Sequence, residues 1–121
     1  MILILSREDD EQVPYVTTRL EVRKAEYVWF DPACFPSIAE IAVEFDRTRG
    51  LSRRILQYDG CNLDLDTVTG VWYRRPQAAR AAEAVTDPQI REWVSRESQH
   101  VLAGLWETLD CTWIPGKPRD V

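Results

Sequence analysis

A strand end that carries two adjacent arginines is the clearest candidate for a binding site in this sequence. Trp72 and Tyr73 end an apolar run, and Arg74, Arg75 and Pro76 follow directly. In open α/β sheets, ligands bind at the carboxyl ends of the strands, and the planar guanidinium of arginine suits a carboxylate or a phosphate. Two interpretations stay open. The arginines contact a ligand or a second domain, or they tie the strand end to neighbouring acidic residues.

A second candidate is Glu97, which falls in the middle of the apolar stripe of a predicted long helix. A buried carboxylate costs several kcal/mol unless it is paired. Arg74 and Arg75 are the natural donors, and only one of them can readily face the helix, because adjacent strand residues point opposite ways. We therefore expect a contact between Glu97 and one of the two arginines. The alternative is that the edge of the stripe is exposed to solvent at Glu97. The predicted structural or interface constellation is Trp72, Tyr73, Arg74, Arg75 and Glu97.

The sequence does not support a nucleotide-binding, nucleophilic or metal site. We therefore predict no catalytic, cofactor-binding or metal-binding residue. The turn from Ser6 to Asp10 has no glycine, and its acidic groups would repel a phosphate, so a dinucleotide site is not expected there. His100 has no serine or cysteine that the sequence pairs with it, and it is expected to be a partly exposed helix residue. Asp59, Asp64 and Asp66 lack the spacing of a calcium loop and are expected to bind turn amides.

Composition narrows the functional class further. The 121 residues are 45% hydrophobic and 29% charged, with a formal net charge of -5, which is typical of one globular domain and unlike basic nucleic-acid-binding domains. No apolar run approaches the ~20 residues that cross a bilayer, and the short apolar start is no signal peptide. We therefore expect a soluble, cytoplasmic chain with no nucleic-acid or membrane partner. Cys34, Cys61 and Cys111 fit neither a disulfide framework nor a zinc site.

Periodicity predicts an α/β fold for residues 1–121. An apolar run at Ile2–Leu5, a helix from about Glu11 to Lys24 and a strand at Glu26–Phe30 form a βαβ unit with parallel strands. Alternating polar and apolar residues then predict an antiparallel hairpin or meander. Its strands lie at 41–46 and 53–58 with an extension at 61–65, and its turns lie at 47–50 and 59–60.

The C-terminal third is predicted to contain a buried strand at Gly70–Tyr73, a long helix and a short strand at Thr112–Ile114. Thr86 and Gln89 have the spacing of a capping box, and the helix should end near Leu109. The residues of its expected core-facing stripe are Ile90, Trp93, Val94, Val101, Leu105 and Leu109. The chain has five tryptophans, and we expect Trp72, Trp106 and Trp113 to belong to an exposed apolar patch that a partner domain covers.

This order of elements, together with the run from Val71 to Pro76 and the segment Trp113–Pro115, resembles the pre-ATP-grasp domain of the ATP-grasp ligases that mature microviridins and related graspetides. The resemblance covers nearly the whole chain and implies a small Rossmann-like sheet. It also implies that full-length members use ATP and magnesium to activate acidic side chains of a ribosomal precursor peptide. A hydroxyl or amine of the same peptide then closes an ester or amide ring.

For this chain, the resemblance implies a structural and interface domain that packs against the ATP-grasp domain of the same polypeptide and helps to build a homodimer. It implies contact with the precursor peptide only indirectly. Because 121 residues cannot hold the ATP-grasp domain as well, we expect the chain alone to be inactive and to bind neither ATP nor magnesium. The ending at residues 118–121 favours a fragment. The alternatives are a free-standing interaction or dimerisation module and a small-molecule binding domain that uses the carboxyl edge of the sheet.

Overall fold

The computed structural model describes residues 1–48 and 50–118, without the side chains of residues 51 and 52, and within them the chain forms two sheets and two α-helices. In chain order the elements are β1 (Ile2–Ser6), α1 (Val13–Val22), β2 (Tyr27–Phe30), β3 (Glu40–Asp46), β4 (Gly50–Tyr58), β5 (Cys61–Asp64), β6 (Gly70–Arg75), α2 (Pro88–Glu107) and β7 (Thr112–Ile114). The α/β prediction is therefore confirmed. Within the described residues, neither helix has the length and apolar character of a bilayer span.

The apolar runs of the sequence become a parallel sheet with the strand order β2-β1-β6-β7. Strand β1 pairs in parallel with both β2 and β6, and β6 pairs in parallel with β7. This confirms the βαβ unit β1-α1-β2, and β6-α2-β7 repeats the same connection. Because right-handed crossovers run outwards from the central pair in both directions, α1 and α2 cover opposite faces of the sheet. The carboxyl ends of β1 and β6 therefore form the topological switch point.

The main core lies between the parallel sheet, α2 and the antiparallel sheet. Leu3 and Leu5 of β1 face it and are fully buried. The other large residues of this cluster are Phe30, Phe35, Leu56, Leu63, Leu65, Val68, Val71, Leu102, Leu105, Trp106, Leu109 and Trp113. Ile4 points to the opposite face of the sheet and is also fully buried, as is Val13 of α1. Burial of each such aliphatic side chain contributes about 1.5–3 kcal/mol to folding, so the sheet is stabilised from both faces.

The predicted meander is the antiparallel sheet β3-β4-β5. Asp59 and Gly60 connect β4 to β5 as a two-residue turn, and both have positive φ, 52° and 73°. An Asp-Gly pair is the sequence that such a hairpin turn favours, so the predicted turn is confirmed. In the other predicted turn, at 47–50, Arg49 lies outside the described residues.

The ends of both helices differ from the predicted ones. Helix α1 begins at Val13 rather than near Glu11, with Pro14 in its first turn, and ends at Val22. Helix α2 is capped by Asp87, whose carboxylate accepts hydrogen bonds from the amides of Gln89 at 2.9 Å and Ile90 at 3.3 Å. The predicted capping box at Thr86 is therefore wrong.

The packed face of α2 agrees with the predicted apolar stripe only at the C-terminal end, where Leu105 and, just past the helix, Leu109 are buried as predicted. Ile90, Trp93 and Val101 are 54%, 56% and 50% exposed, although they were expected to face the core. The residues that are buried along the helix are Ser98, Leu102, Leu105 and Trp106. At about 100° per residue, the centre of this packed face lies about a quarter turn or more away from Glu97, the centre of the predicted stripe.

Polar contacts explain this orientation of α2. The segment between β6 and α2 runs along the helix and lacks regular backbone pairing of its own. Its amides at Ala79 and Ala81 donate to Gln99 Oε1 at 2.8 Å and Ser95 Oγ at 3.0 Å. Arg91 donates to two carbonyls of the same segment. Buried backbone groups need such partners, so α2 turns several polar residues inwards.

Candidate functional site

The five residues of the predicted constellation do not form one cluster. Those of β6 lie on both faces of the sheet, and Glu97 lies apart on α2. Trp72 and Arg74 lie on the face that α1 covers, and Tyr73 lies on the core face, because neighbouring strand residues alternate. Arg75 is exposed at the end of β6, and its carbonyl accepts a hydrogen bond from the Arg7 amide at 3.2 Å. The strand end thus touches the β1–α1 turn through its backbone.

Arg74 is tied to an acidic residue that follows β1. Its Nε lies 3.2 Å from Asp10 Oδ2, with side-chain exposures of 26% for Arg74 and 5% for Asp10. The direction of this contact falls short of a hydrogen bond, although Arg74 Nε is shielded from solvent. The guanidinium carbon lies 6.0 Å from the ring centroid of Trp72, at the outer limit for a cation–π contact. For Arg74, the structure favours the interpretation that it ties the strand end to a neighbouring acid.

Asp10 is the centre of this cluster, although no local sequence pattern predicted this role for it. It accepts hydrogen bonds from Ser6 Oγ at 2.6 Å and from the Gln12 amide at 3.0 Å. Burial alone would raise the pKa of its carboxyl group, but these hydrogen bonds and the nearby Arg74 outweigh burial and lower the pKa. Only the strand order could have identified Asp10. Because β1 and β6 are parallel neighbours, the turn after β1 lies beside the end of β6.

The predicted contact between Glu97 and an arginine of the strand end is wrong. Glu97 is exposed on the outer face of α2, and Asp10 is the acidic partner of Arg74. The reason is the orientation of α2, whose packed face is centred well away from Glu97. His100 is exposed on the same helix, in keeping with the expectation of a partly exposed histidine.

Two concave regions flank the end of β6. The first is a polar cleft of about 440 Å³ between the carboxyl ends of β1 and β6, lined by Arg7, Asp9, Asp10, Glu11, Gln12, Arg74 and Arg75. Arg7 already pairs with Asp9 at 3.0 Å, so much of the charge in this cleft is balanced internally. The second region, about 480 Å³, lies on the core side, between Tyr73, Trp106 and the start of the segment that follows β6.

A group of three further side chains at the ends of β1 and β2 has the composition of a metal site. Donor atoms of Glu8, Asp31 and Cys34 lie within 4.8 Å of one another, and they form the only such group in the described residues. The Asp31 oxygens accept hydrogen bonds from the amides of Glu8 at 3.0 Å and Ala33 at 2.9 Å. Burial raises the pKa of the Cys34 thiol and so disfavours the thiolate that metals bind. Through these hydrogen bonds Asp31 caps the short turn Pro32–Cys34 and joins it to the β1–α1 turn.

The turn acids divide between two roles. Asp64 accepts a hydrogen bond from the Asp66 amide at 3.0 Å, as expected for an acid that binds turn amides. Asp66 itself pairs with Arg54, which also donates to the Thr108 carbonyl at the end of α2 at 2.9 Å. Arg54 thereby joins the antiparallel sheet to α2. The three cysteines are free, with Cys34 buried and Cys61 exposed.

The exposed apolar surface of the chain is not the one predicted around Trp72, Trp106 and Trp113. Trp106 and Trp113 are 4% and 9% exposed, so their predicted place in an exposed patch is wrong, and Trp72 is half-buried. The exposed tryptophan is Trp93, which lies with Ile90 and Val101 along the outer face of α2. Trp93 was not predicted to be exposed, because the helical periodicity predicts that it faces the core.

Comparisons with known proteins agree with this architecture. A family model described as the MvdD pre-ATP-grasp domain matches residues 1–119. The macrocyclase MdnB from Microcystis aeruginosa MRC is 29% identical, with a TM-score of 0.80 over 93% of this chain and 36% of its own. The macrocyclase MdnC from the same organism, bound with precursor peptide MdnA, is 22% identical, with a TM-score of 0.79 over the same shares.

A RiPP-associated ATP-grasp ligase from Chryseobacterium gregarium, in complex with ADP and a leader and core peptide, is 22% identical. Its TM-score is 0.82 over 98% of this chain and 35% of its own. The chain therefore spans little more than a third of the length of these ligases. No curated protein sequence matches the chain.

Proposed function

The chain belongs to the MvdD pre-ATP-grasp domain family, and from that premise we propose that it is the N-terminal structural and interface domain of an ATP-dependent ligase. The proposed ligase joins acidic side chains of a ribosomal precursor peptide to hydroxyl or amine groups of the same peptide. The single observation that carries the proposal is the family match over residues 1–119. The likeness to the macrocyclase MdnB at 29% identity supports the same reaction class.

In this proposal the chain contributes no catalytic group, and ATP and magnesium bind to the remainder of the ligase. The β1–α1 turn supports this division. In a nucleotide-binding βαβ unit, free amides at the start of the helix would hold a phosphate. Here Asp10 already occupies the Gln12 amide, and Asp9 lies beside it in the same turn. Carboxylates at this position repel a phosphate group, so ATP binding by this turn is disfavoured.

The role that we propose for the strand end is to hold the carboxyl edge of the sheet in one shape. Asp10 and Arg74 join the turn after β1 to β6, while Arg75 remains exposed at the rim of the cleft. We propose that this rim faces the ATP-grasp domain, and that the precursor peptide is contacted only through that domain. The proposed location of the ligase is the cytoplasm.

The second candidate function is a free-standing interaction or dimerisation module. One specific observation favours it, which is the exposed apolar stripe of α2, with Trp93 56% exposed. In the ligase, the same stripe would contribute to a homodimer. The two candidates differ in whether the chain works with an ATP-grasp region.

Ring formation on a precursor peptide tests the proposal. The DNA downstream of the Val121 codon should be sequenced, and the complete encoded protein should be expressed with any precursor peptide that is encoded beside it. We expect mass spectrometry to detect the loss of one water per ring when ATP and magnesium are present, and no loss with residues 1–121 alone. A downstream frame without an ATP-grasp region, or ring formation by residues 1–121 alone, would contradict the proposal.

A further inference from the structure

The concave region on the core side of the β6 strand end, here called the core-side pocket, has the size and lining of a small-molecule site. Its volume is about 480 Å³, within the range of roughly 300–1,000 Å³ that ligand pockets occupy. Apolar and aromatic side chains and a glycine form much of its wall, among them Tyr73, Pro76, Ala103, Gly104 and Trp106. The polar residues of the described lining are Gln77, Gln99, Glu107 and Lys117. In such a pocket the apolar wall holds the body of a ligand, and the few polar groups fix its orientation.

The indole N–H of Trp106 is a donor without an acceptor at this pocket. The indoles of Trp29 and Trp113 donate to backbone carbonyls at 3.3 Å and 3.2 Å, whereas no group in the described part of the chain accepts from Trp106. Trp106 is 4% exposed, and a tryptophan as buried as this usually has a hydrogen-bond partner. Its N–H is not sealed in the core, because Arg74 Nε is the only solvent-shielded side-chain atom without a partner among the described residues. The N–H is therefore presented to the pocket that Trp106 lines.

Two glutamines add further donors, because their oxygens are already occupied. Gln99 Oε1 accepts a hydrogen bond from the Ala79 amide at 2.8 Å, and Gln77 Oε1 accepts one from Arg80 at 2.8 Å. A backbone amide or a guanidinium can only donate, so each contact fixes which end of the glutamine side chain is the oxygen. The side-chain N–H groups of both glutamines remain as donors. Both residues are half-buried and line the pocket.

Lys117 supplies a positive charge at the same pocket. It is half-buried, and its Nζ donates to the carbonyl of Glu107, the last residue of α2, at 3.5 Å. An ammonium group has three donors and no acceptor, so further donors of Lys117 remain for a ligand. The acid among the described lining residues is Glu107, which is exposed. The inward polar groups of the pocket are therefore mainly donors, and one of them is a cation.

We propose that the core-side pocket binds a small carboxylate with an apolar body, such as an arylalkanoate. A carboxylate only accepts hydrogen bonds, so it matches a pocket whose free polar groups are donors, and its charge strengthens the hydrogen bond from Lys117. The apolar body lies against Tyr73 and Trp106. A phosphate ester brings up to two charges and three acceptor oxygens, more than one lysine and neutral amides balance. The proposal is independent of the ligase assignment, because ligand binding and ring formation are measured separately.

Gly104 provides the space for the apolar body of the ligand. No heavy atom lies within 4 Å of the place where a Cβ of Gly104 would stand, although Gly104 belongs to the pocket wall. Gly104→Leu should therefore fill the pocket and abolish binding. The fold should be retained, because leucine favours a helix more than glycine does, and circular dichroism checks this. Thr18→Leu is the matched control, since it adds the same side chain at an exposed position of α1, and it should bind like the wild type.

Titration of the chain with phenylpropionate, followed in two-dimensional nitrogen–proton NMR spectra, tests the proposal. The indole peak of Trp106 is identified by its absence from the spectrum of Trp106→Phe. We expect this peak to move in a saturable manner, with a dissociation constant of about a millimolar, as for a ligand of this size. Phenylpropylamine and acetate are the matched ligands. Neither should move the peak saturably, because the amine has no carboxylate and acetate has no apolar body.

A charge variant tests the part played by Lys117. Lys117→Gln should weaken the binding of phenylpropionate about three- to tenfold. Lys24→Gln is its matched control, because Lys24 is exposed and lies outside the pocket. Equal binding by these two variants would refute the role of the charge. An indole peak of Trp106 that does not move up to the solubility limit of phenylpropionate, that phenylpropylamine moves equally, or that still moves in Gly104→Leu, would overturn the proposal.

Discussion

Replacing Asp10 by alanine removes the acidic group that joins the β1–α1 turn to the end of β6. The change deletes the hydrogen bond from Ser6 Oγ, the hydrogen bond from the Gln12 amide and the ion pair with Arg74. Ser6 is fully buried and the Asp10 side chain is 5% exposed, so water replaces these partners poorly. Breaking a buried ion pair costs about 3–5 kcal/mol. Because the Arg74 side chain is 26% exposed and partly hydrated, we expect a loss of about 2–3 kcal/mol in unfolding free energy.

Urea unfolding followed by tryptophan fluorescence measures this loss. Asp10→Asn keeps the size of the side chain and can still accept from Ser6, so it should cost less than Asp10→Ala. Asp9→Ala is the surface control, since Asp9 and its partner Arg7 are 65% and 51% exposed, and its midpoint should match the wild type. A loss below about 1 kcal/mol for Asp10→Ala, or equal losses for Asp10→Ala and Asp9→Ala, would refute the assignment of Asp10 as the centre of this cluster.

The charge of Asp10 adds a dependence on pH. The pKa of its carboxyl group is lowered in the folded chain, because the hydrogen bonds and Arg74 outweigh burial. A carboxyl with a lowered pKa stabilises the fold above its unfolded value, about 4 for aspartate, and this stabilisation is lost as the pH falls through the folded value. The difference in unfolding free energy between wild type and Asp10→Asn should therefore shrink as the pH falls from neutral to about 3. A difference that stays constant over this range would contradict the linkage.

Two further predictions concern the helix orientation and the thiols. Leu102→Ala should lower the unfolding free energy by about 2–5 kcal/mol, because Leu102 is fully buried, whereas Glu97→Ala should change it by less than about 0.5 kcal/mol. The reverse order in urea unfolding would mean that α2 packs through the stripe centred on Glu97. Cys61 is exposed and should react with a thiol reagent in the native protein, while Cys34 is buried and has a raised pKa, so it should react only on unfolding. Peptide mapping by mass spectrometry after brief alkylation distinguishes them, and equal labelling of both would contradict the burial of Cys34.

The sequence by itself determined the strands of the parallel sheet and the parallel connection of β1 to β2 through α1. The run at Ile2–Leu5 is apolar at every position because β1 is buried on both faces, and this signal needs no tertiary information. The short edge strand Thr112–Ile114 was also predicted, although only Trp113 within it is buried. The Asp59–Gly60 turn was determined by local chemistry, since positive φ at two successive residues favours that pair. Each of these features follows from the preferences of a few neighbouring residues.

Only the tertiary structure decided which face of α2 packs and which acid meets Arg74. Helix α2 has two apolar stripes, one through Trp93 and Val101 and one through Leu102 and Trp106, and the period of 3.6 residues is the same for both. The choice was made by the segment after β6, whose backbone amides bind Ser95 and Gln99 and turn that polar side inwards. The partner of Arg74 was decided by the strand order, because pairing of β1 with β6 places Asp10 beside it. Both outcomes depend on contacts between residues far apart in the sequence, which no local pattern records.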